Sequence, residues 1–137
     1  RRIPMPIPDH IDILGHFAQG GQMRLTVSTV IGLSPTEVDL FIFGTKGTLR
    51  ILQTKDTEIE LFAGDKNATQ LKRIMIEPEK KGKWRVEEEF VNAIRGTEEI
   101  THTDFTTALK YMEWTDAVTI SMQTRELVPL PLSNGMR

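Results

Sequence analysis

Apolar and polar residues alternate with a period of two through the first half of the chain. In IDILGHFA (11–18), Ile11, Ile13 and Phe17 alternate with Asp12, Leu14 and His16. In QMRLTVSTV (22–30), Met23, Leu25 and Val27 alternate with Arg24, Thr26 and Ser28. This alternation marks a half-buried β-strand. Gly20-Gly21 predicts the turn between the two runs. A turn cluster, GLSPTE (32–37), leads into EVDLFIF (37–43), rich in β-branched and aromatic residues. TLRILQ (48–53), TEIELFA (57–63) and the weaker LKRIMIEP (71–78) follow. The connections are a few residues long, which predicts antiparallel hairpins and meanders, because parallel crossovers need a dozen residues or more.

The period changes after EKKGK (79–83), a charged, solvated loop. WRVEEEFVNAIRG places Val86, Phe90, Ala93 and Ile94 at helical spacing, with Glu87, Glu88 and Glu89 near the N-terminal end and Arg95-Gly96 closing it. A second helix starts at THTDF, capped by Thr103 or Asp104. Phe105, Ala108, Leu109 and Met112 form one stripe on it. Tyr111, Trp114, Val118 and Met122 form another, so cover on more than one side is expected. ELVPLPL (126–132) reads as a final strand whose prolines suit an edge. The predicted class is α+β: a predominantly antiparallel, open-faced sheet of about six or seven strands, with two helices packed on one face. EVDLFIF is apolar on both faces, with Val38, Leu40 and Ile42 on one and Phe41 and Phe43 on the other. Helices cover one face, and the natural cover for the second is another copy of the sheet.

Composition narrows the function classes. The 137 residues fit one domain, 1–137, and 39% hydrophobic with 26% charged is ordinary for a globular chain. A net charge of -2 gives no electrostatic case for nucleic acid or an anionic membrane. The absence of cysteine removes disulfides, thiol catalysis and cysteine-bound zinc, and suits a reducing, cytoplasmic setting. No apolar run is long enough to span a bilayer. The start, RRIPMPIPDH, is broken by prolines and lacks an initiating methionine, so it reads as a cut within a longer protein.

The pair of glycines in FIFGTKGTLRI could suggest a phosphate loop. Such a loop must open a helix, so that backbone N–H groups and the helix N-terminus face the anion. Here the next residues are Thr48-Leu49-Arg50-Ile51, a strand. Gly44-Thr45-Lys46-Gly47 is therefore predicted to be a hairpin turn, with glycine supplying positive φ. The three histidines show no metal-ligand spacing: His10 lies with Asp9 in an entering loop, His16 mid-strand and His102 before a helix cap. No G-x-S-x-G elbow supports a hydrolase.

Order and motif together bring a family into view. DHIDILGHFAQGGQMRLTVS, LFIFGTKGTLRI and the run from Trp84 to Leu132 resemble the C-terminal domain of the Gfo/Idh/MocA oxidoreductases, the glucose-fructose oxidoreductase and inositol dehydrogenase type. The run carries a tryptophan before an EF-x-x-AI-x-G helix, a T/H-x-x-F start and an AV-x-x-S-x-x-T end. The resemblance implies a dinucleotide-binding domain, absent from this sequence, that holds NAD or NADP and a catalytic lysine. It implies no catalytic or cofactor-binding residue in this chain, which alone should be inactive. It also implies a homo-oligomer through the sheet face, where His16, Phe41 and Phe43 are candidates. A loop from Ser28 to Glu37 would reach substrate, a sugar, polyol or related hydroxy compound, with Thr29, Ser34, Thr36 and Glu37 as candidates. The alternative is a non-catalytic binding or assembly module that self-associates through its sheet.

Overall fold

The alternating runs fold as strands and the helically spaced runs as helices. The computed structural model describes residues 8–55, 57–101 and 104–133. The chain falls into two compact units, Arg1–Gly82 and Lys83–Arg137. The class is α+β.

The first unit carries six strands: β1 (His10–His16), β2 (Gln22–Ser28), β3 (Val38–Phe43), β4 (Gly47–Gln53), β5 (Glu60–Asp65) and β6 (Lys72–Ile74). They form two antiparallel sheets, β1-β2 and β3-β4-β5-β6, in place of the single sheet expected. The reason lies at the open end of the β1-β2 hairpin. Thr29 donates its N–H and its hydroxyl to Asp9 O, at 2.8 and 3.2 Å, and so fastens the hairpin to itself. The chain then loops before Glu37 N–H joins Gln53 O at 2.8 Å and enters the second sheet. At the closed end of the hairpin, Gly20 and Gly21 both take positive φ, as their turn requires.

The β3-β4 turn closes as predicted, with Gly44 N–H donating to Gly47 O at 2.9 Å. Its second glycine is needed for a different reason. Neither glycine has positive φ. A Cβ on Gly47 would stand 2.3 Å from Gly64 O on β5, so glycine is there to let two backbones approach. The strand predicted at 71–78 is confined to β6, and the charged segment after it begins with one 3-10 turn, Pro78–Lys80.

The second unit holds α1 (Val86–Ile94) and α2 (Phe105–Thr124). Around the first turn of α1, the Trp84 indole donates to Glu87 at 2.7 Å, and Arg85 forks onto Glu88 at 3.0 Å while reaching Glu98 at 3.1 Å. Gly96 ends the helix at φ 70°. Glu89, only 2% exposed, faces inward from α1 and accepts from the Thr101 hydroxyl at 2.8 Å and the Thr101 N–H at 3.3 Å. That bond ties α1 to the segment leading into α2. Asp104 caps α2 by accepting from Thr107 N–H at 2.6 Å; the other predicted cap, Thr103, lies with His102 outside the described residues.

The buried side of α2 centres on Ala117. Phe105, Leu109, Tyr111 and Met112 are exposed, and Trp114 and Val118 are half-buried. The AV-x-x-S-x-x-T end has a local explanation. Thr124 donates its hydroxyl to Ile120 O and Ser121 donates to Glu126 O, at 2.9 and 2.7 Å, which closes the helix C-terminus. The final strand expected at 126–132 is not formed. Leu132 is buried, and its N–H donates to the Glu113 carboxylate at 2.9 Å, so a side chain of α2 takes a donor that a ladder would have used.

Substitutions at two positions test these packing arguments. Gly47→Ala should lower stability by about 1–3 kcal/mol through backbone overpacking, read by urea unfolding. Glu89→Ala should cost about 1–3 kcal/mol, because it removes a buried acceptor that takes both the Thr101 hydroxyl and the Thr101 N–H. Glu89→Gln, which keeps an acceptor, should cost less in the same urea unfolding.

Candidate functional site

The β3-β4 register decides what each face of the four-stranded sheet presents. Leu40, Ile51, Leu61 and Ile74 stand side by side across the strands, flanked by Ile42, Leu49 and Ala63. This face is aliphatic. On the other face, Phe41, Arg50, Phe62 and Arg73 form a row of alternating aromatic and cationic side chains.

The cations of that row are neutralised within the sheet. Arg50 grips Asp39 with two parallel bonds, Nε to Oδ1 and Nη2 to Oδ2, both 2.8 Å. Its guanidinium lies over the Phe41 ring, 4.9 Å from the centroid. Phe41 stacks on Phe43 at 5.6 Å with the rings 4° from parallel. Arg73 pairs with Glu60 at 2.9 Å. The bonds from Arg50 hold the Asp39 carboxyl below its ordinary range, against a smaller upward push from burial. The face is thus apolar and aromatic, with its charges already paired. Arginine and aromatic side chains are the types enriched where proteins meet.

Of the three residues expected on the oligomer face, Phe41 and Phe43 stand together here. His16 does not join them: it is the last residue of β1, in the other sheet, paired with Gln22 and exposed. It shares its strand face with Asp12 and Leu14. His10 belongs to β1 itself and not to an entering loop, and its Nε2 lies 3.6 Å from Asp12. Asp12 also accepts from the Thr26 hydroxyl, which, more than His10, holds its carboxyl below the ordinary range.

The four substrate-side candidates are brought near one another by sequence alone. Thr29 is fastened to Asp9 O. Ser34 donates its hydroxyl to Thr36 O at 2.7 Å and accepts from Thr36 N–H at 3.4 Å, a local turn that occupies both residues. Glu37 immediately precedes β3, with its side chain exposed. What the loop presents outward is apolar: Val30, Ile31 and Leu33 are exposed, Leu33 at 98%.

An open hollow of about 750 Å³ lies at the turn end of the aliphatic face. Ile42, Leu49 and Ala63 floor it, with Lys46, Asp65 and Lys72 at its rim. No histidine lines it, and Asp65 turns one carboxylate oxygen to Asn67 N–H at 2.9 Å. Among the described residues no three His, Cys, Asp or Glu side chains gather as a metal site would require, and no helix is long and apolar enough to cross a membrane. No known family, curated protein or solved structure matches the chain.

Arg50, Phe62 and Arg73 escaped the sequence reading. Each belongs to a different strand from Phe41, and only the pairing register aligns them. The available signal was the turn at Gly44-Gly47, which fixes Phe41 opposite Arg50 by counting outward from it.

The Asp39–Arg50 pair predicts a pH dependence. A carboxyl held below its ordinary value of 3.8 contributes stability that is fully present above that value and lost as pH falls through its lower folded value. The stability gap between the native chain and Asp39→Asn should therefore hold steady from neutral pH and narrow only below about pH 4, in urea unfolding across a pH series.

Proposed function

We propose that this chain is the substrate-side and oligomerisation domain of an NAD(P)-dependent oxidoreductase of the Gfo/Idh/MocA type. The parent would be cytoplasmic and would act on a sugar, a polyol or a related hydroxy compound. The observation that carries the reading is a β-layer greasy on both sides, with the charges of its aromatic face bonded internally. Such a layer is built for contact and not for chemistry. The order of strands, glycine hairpin, EF-x-x-AI-x-G helix and Asp-capped helix supports the family reading.

In this division of labour, the missing dinucleotide-binding domain supplies cofactor and proton transfer. A nicotinamide cofactor carries the hydride, and the protein orients the hydroxyl-bearing carbon against it. This chain's part is to close over the substrate from the loop 28–37 side and to join copies through the Phe41/Phe43 face. The engagement of Thr29, Ser34 and Thr36 with backbone groups favours a second reading, a non-catalytic assembly module that uses the same face.

Titration calorimetry with NAD and with NADP tests the division directly. No binding is expected to this chain, and micromolar binding of either cofactor would overturn the reading. Sequencing the gene upstream of Arg1 separates the two readings. A strand, glycine-rich loop and helix encoded there would support the enzyme, and their lack would leave the assembly module.

A further inference from the structure

The two outer strands of the four-stranded sheet are unlike each other. β6 is three residues long and carries Lys72 and Arg73. A short, cationic strand is a common way of discouraging another chain from pairing. β3, at the opposite edge, is twice as long, with sequence VDLFIF and every residue exposed. It has no proline and no lysine. Its one charge, Asp39, is held by Arg50 of its own sheet. Among the described residues β4 is the only strand paired with it.

The ladder defines which backbone groups are left over. Gly44 N–H bonds Gly47 O across the turn, so, by antiparallel alternation, Ile42 and Leu40 turn their N–H and C=O groups toward β4. Asp39, Phe41 and Phe43 turn theirs outward. Three residues thus offer donors and acceptors along an apolar strand.

We propose that β3 pairs antiparallel with β3 of a second copy, about a two-fold axis at Phe41. Asp39 then stands opposite the partner's Phe43, and Leu40 opposite the partner's Ile42. The two sheets become one continuous layer. Charge selects a second copy in this orientation. Glu37 stands at the entrance of β3 and Lys46 just past its exit; both are exposed, and among the described residues neither makes an ion pair. Antiparallel self-pairing brings each Glu37 alongside the partner's Lys46, at both ends of the seam. A parallel arrangement would put like charge beside like. This edge pairing goes beyond the oxidoreductase reading and does not depend on it, and it uses the rim of the sheet where that reading uses the aromatic face.

Because the chain has no cysteine, single thiols report the register cleanly. Chains carrying Leu40→Cys and chains carrying Ile42→Cys are mixed and mildly oxidised. The mixed disulfide should form roughly tenfold more than the disulfide of either variant alone, because only the mixed pair comes within bridging distance. Stacking through the aromatic face would not produce it, since these two side chains point the other way. On the native backbone, Glu37→Lys or Lys46→Glu alone should weaken self-association in sedimentation by roughly fivefold, and the double reversal should restore it. Equal cross-linking in all samples, no cross-linking in the mixture, or a dimer indifferent to the charge reversals would each overturn the pairing. So would a monomer in which β1-β2 of the same chain covers the edge.

Discussion

The close approach of two backbones at the β3-β4 turn sets the rest of the sheet. Gly44 N–H closes on Gly47 O and so counts β3 against β4, while Gly47 lies against Gly64 O on β5 with no room for a side chain. That fixes the pairing count, and the count fixes the faces. A slip of one residue would carry Phe41 and Phe43 among the aliphatic side chains and pull Asp39 away from Arg50. The division into an aliphatic face and an aromatic, arginine-bearing face is therefore a consequence of two small residues at a hairpin.

The second unit is organised by a different kind of contact. Its ordered groups are polar: Glu89 holding Thr101, Asp104 capping α2, and Glu113 holding the Leu132 N–H. Ala117 and Leu132 are the only buried apolar residues among those described, and Glu89 is buried more deeply than either. Hydrogen bonds to the connecting segments thus fix where the chain turns. Large apolar side chains such as Phe105 and Ile94 are left facing outward.

Much of this was readable from the sequence. Alternation located β1 and β2 because each has one side drier than the other, and helical spacing with Asp104 and Gly96 bounded both helices. What the sequence could not display was which strands would join. ELVPLPL looks extended because its prolines make it so, yet extension becomes a strand only with a partner, and Glu113 took the Leu132 donor first. Likewise, nothing in the alternation of β2 and β3 records that Thr29 closes the hairpin on Asp9. The site was half legible for the same reason. Phe41 and Phe43 stand out along one strand, whereas the row from Phe41 to Arg73 exists only after three pairings. The loop 28–37 was read by its hydroxyls, and its outward surface proved to be Val30, Ile31 and Leu33.

The meander of the four-stranded sheet pairs each strand with the next one in sequence. Neighbour-to-neighbour pairing demands little loop closure, so such a sheet assembles quickly and early. On the ribosome, this layer would leave the exit tunnel and take shape before either helix had emerged from it. The nascent chain would then carry an uncovered greasy strand for the whole interval, and a neighbouring nascent chain on the same messenger would be the nearest surface to meet it.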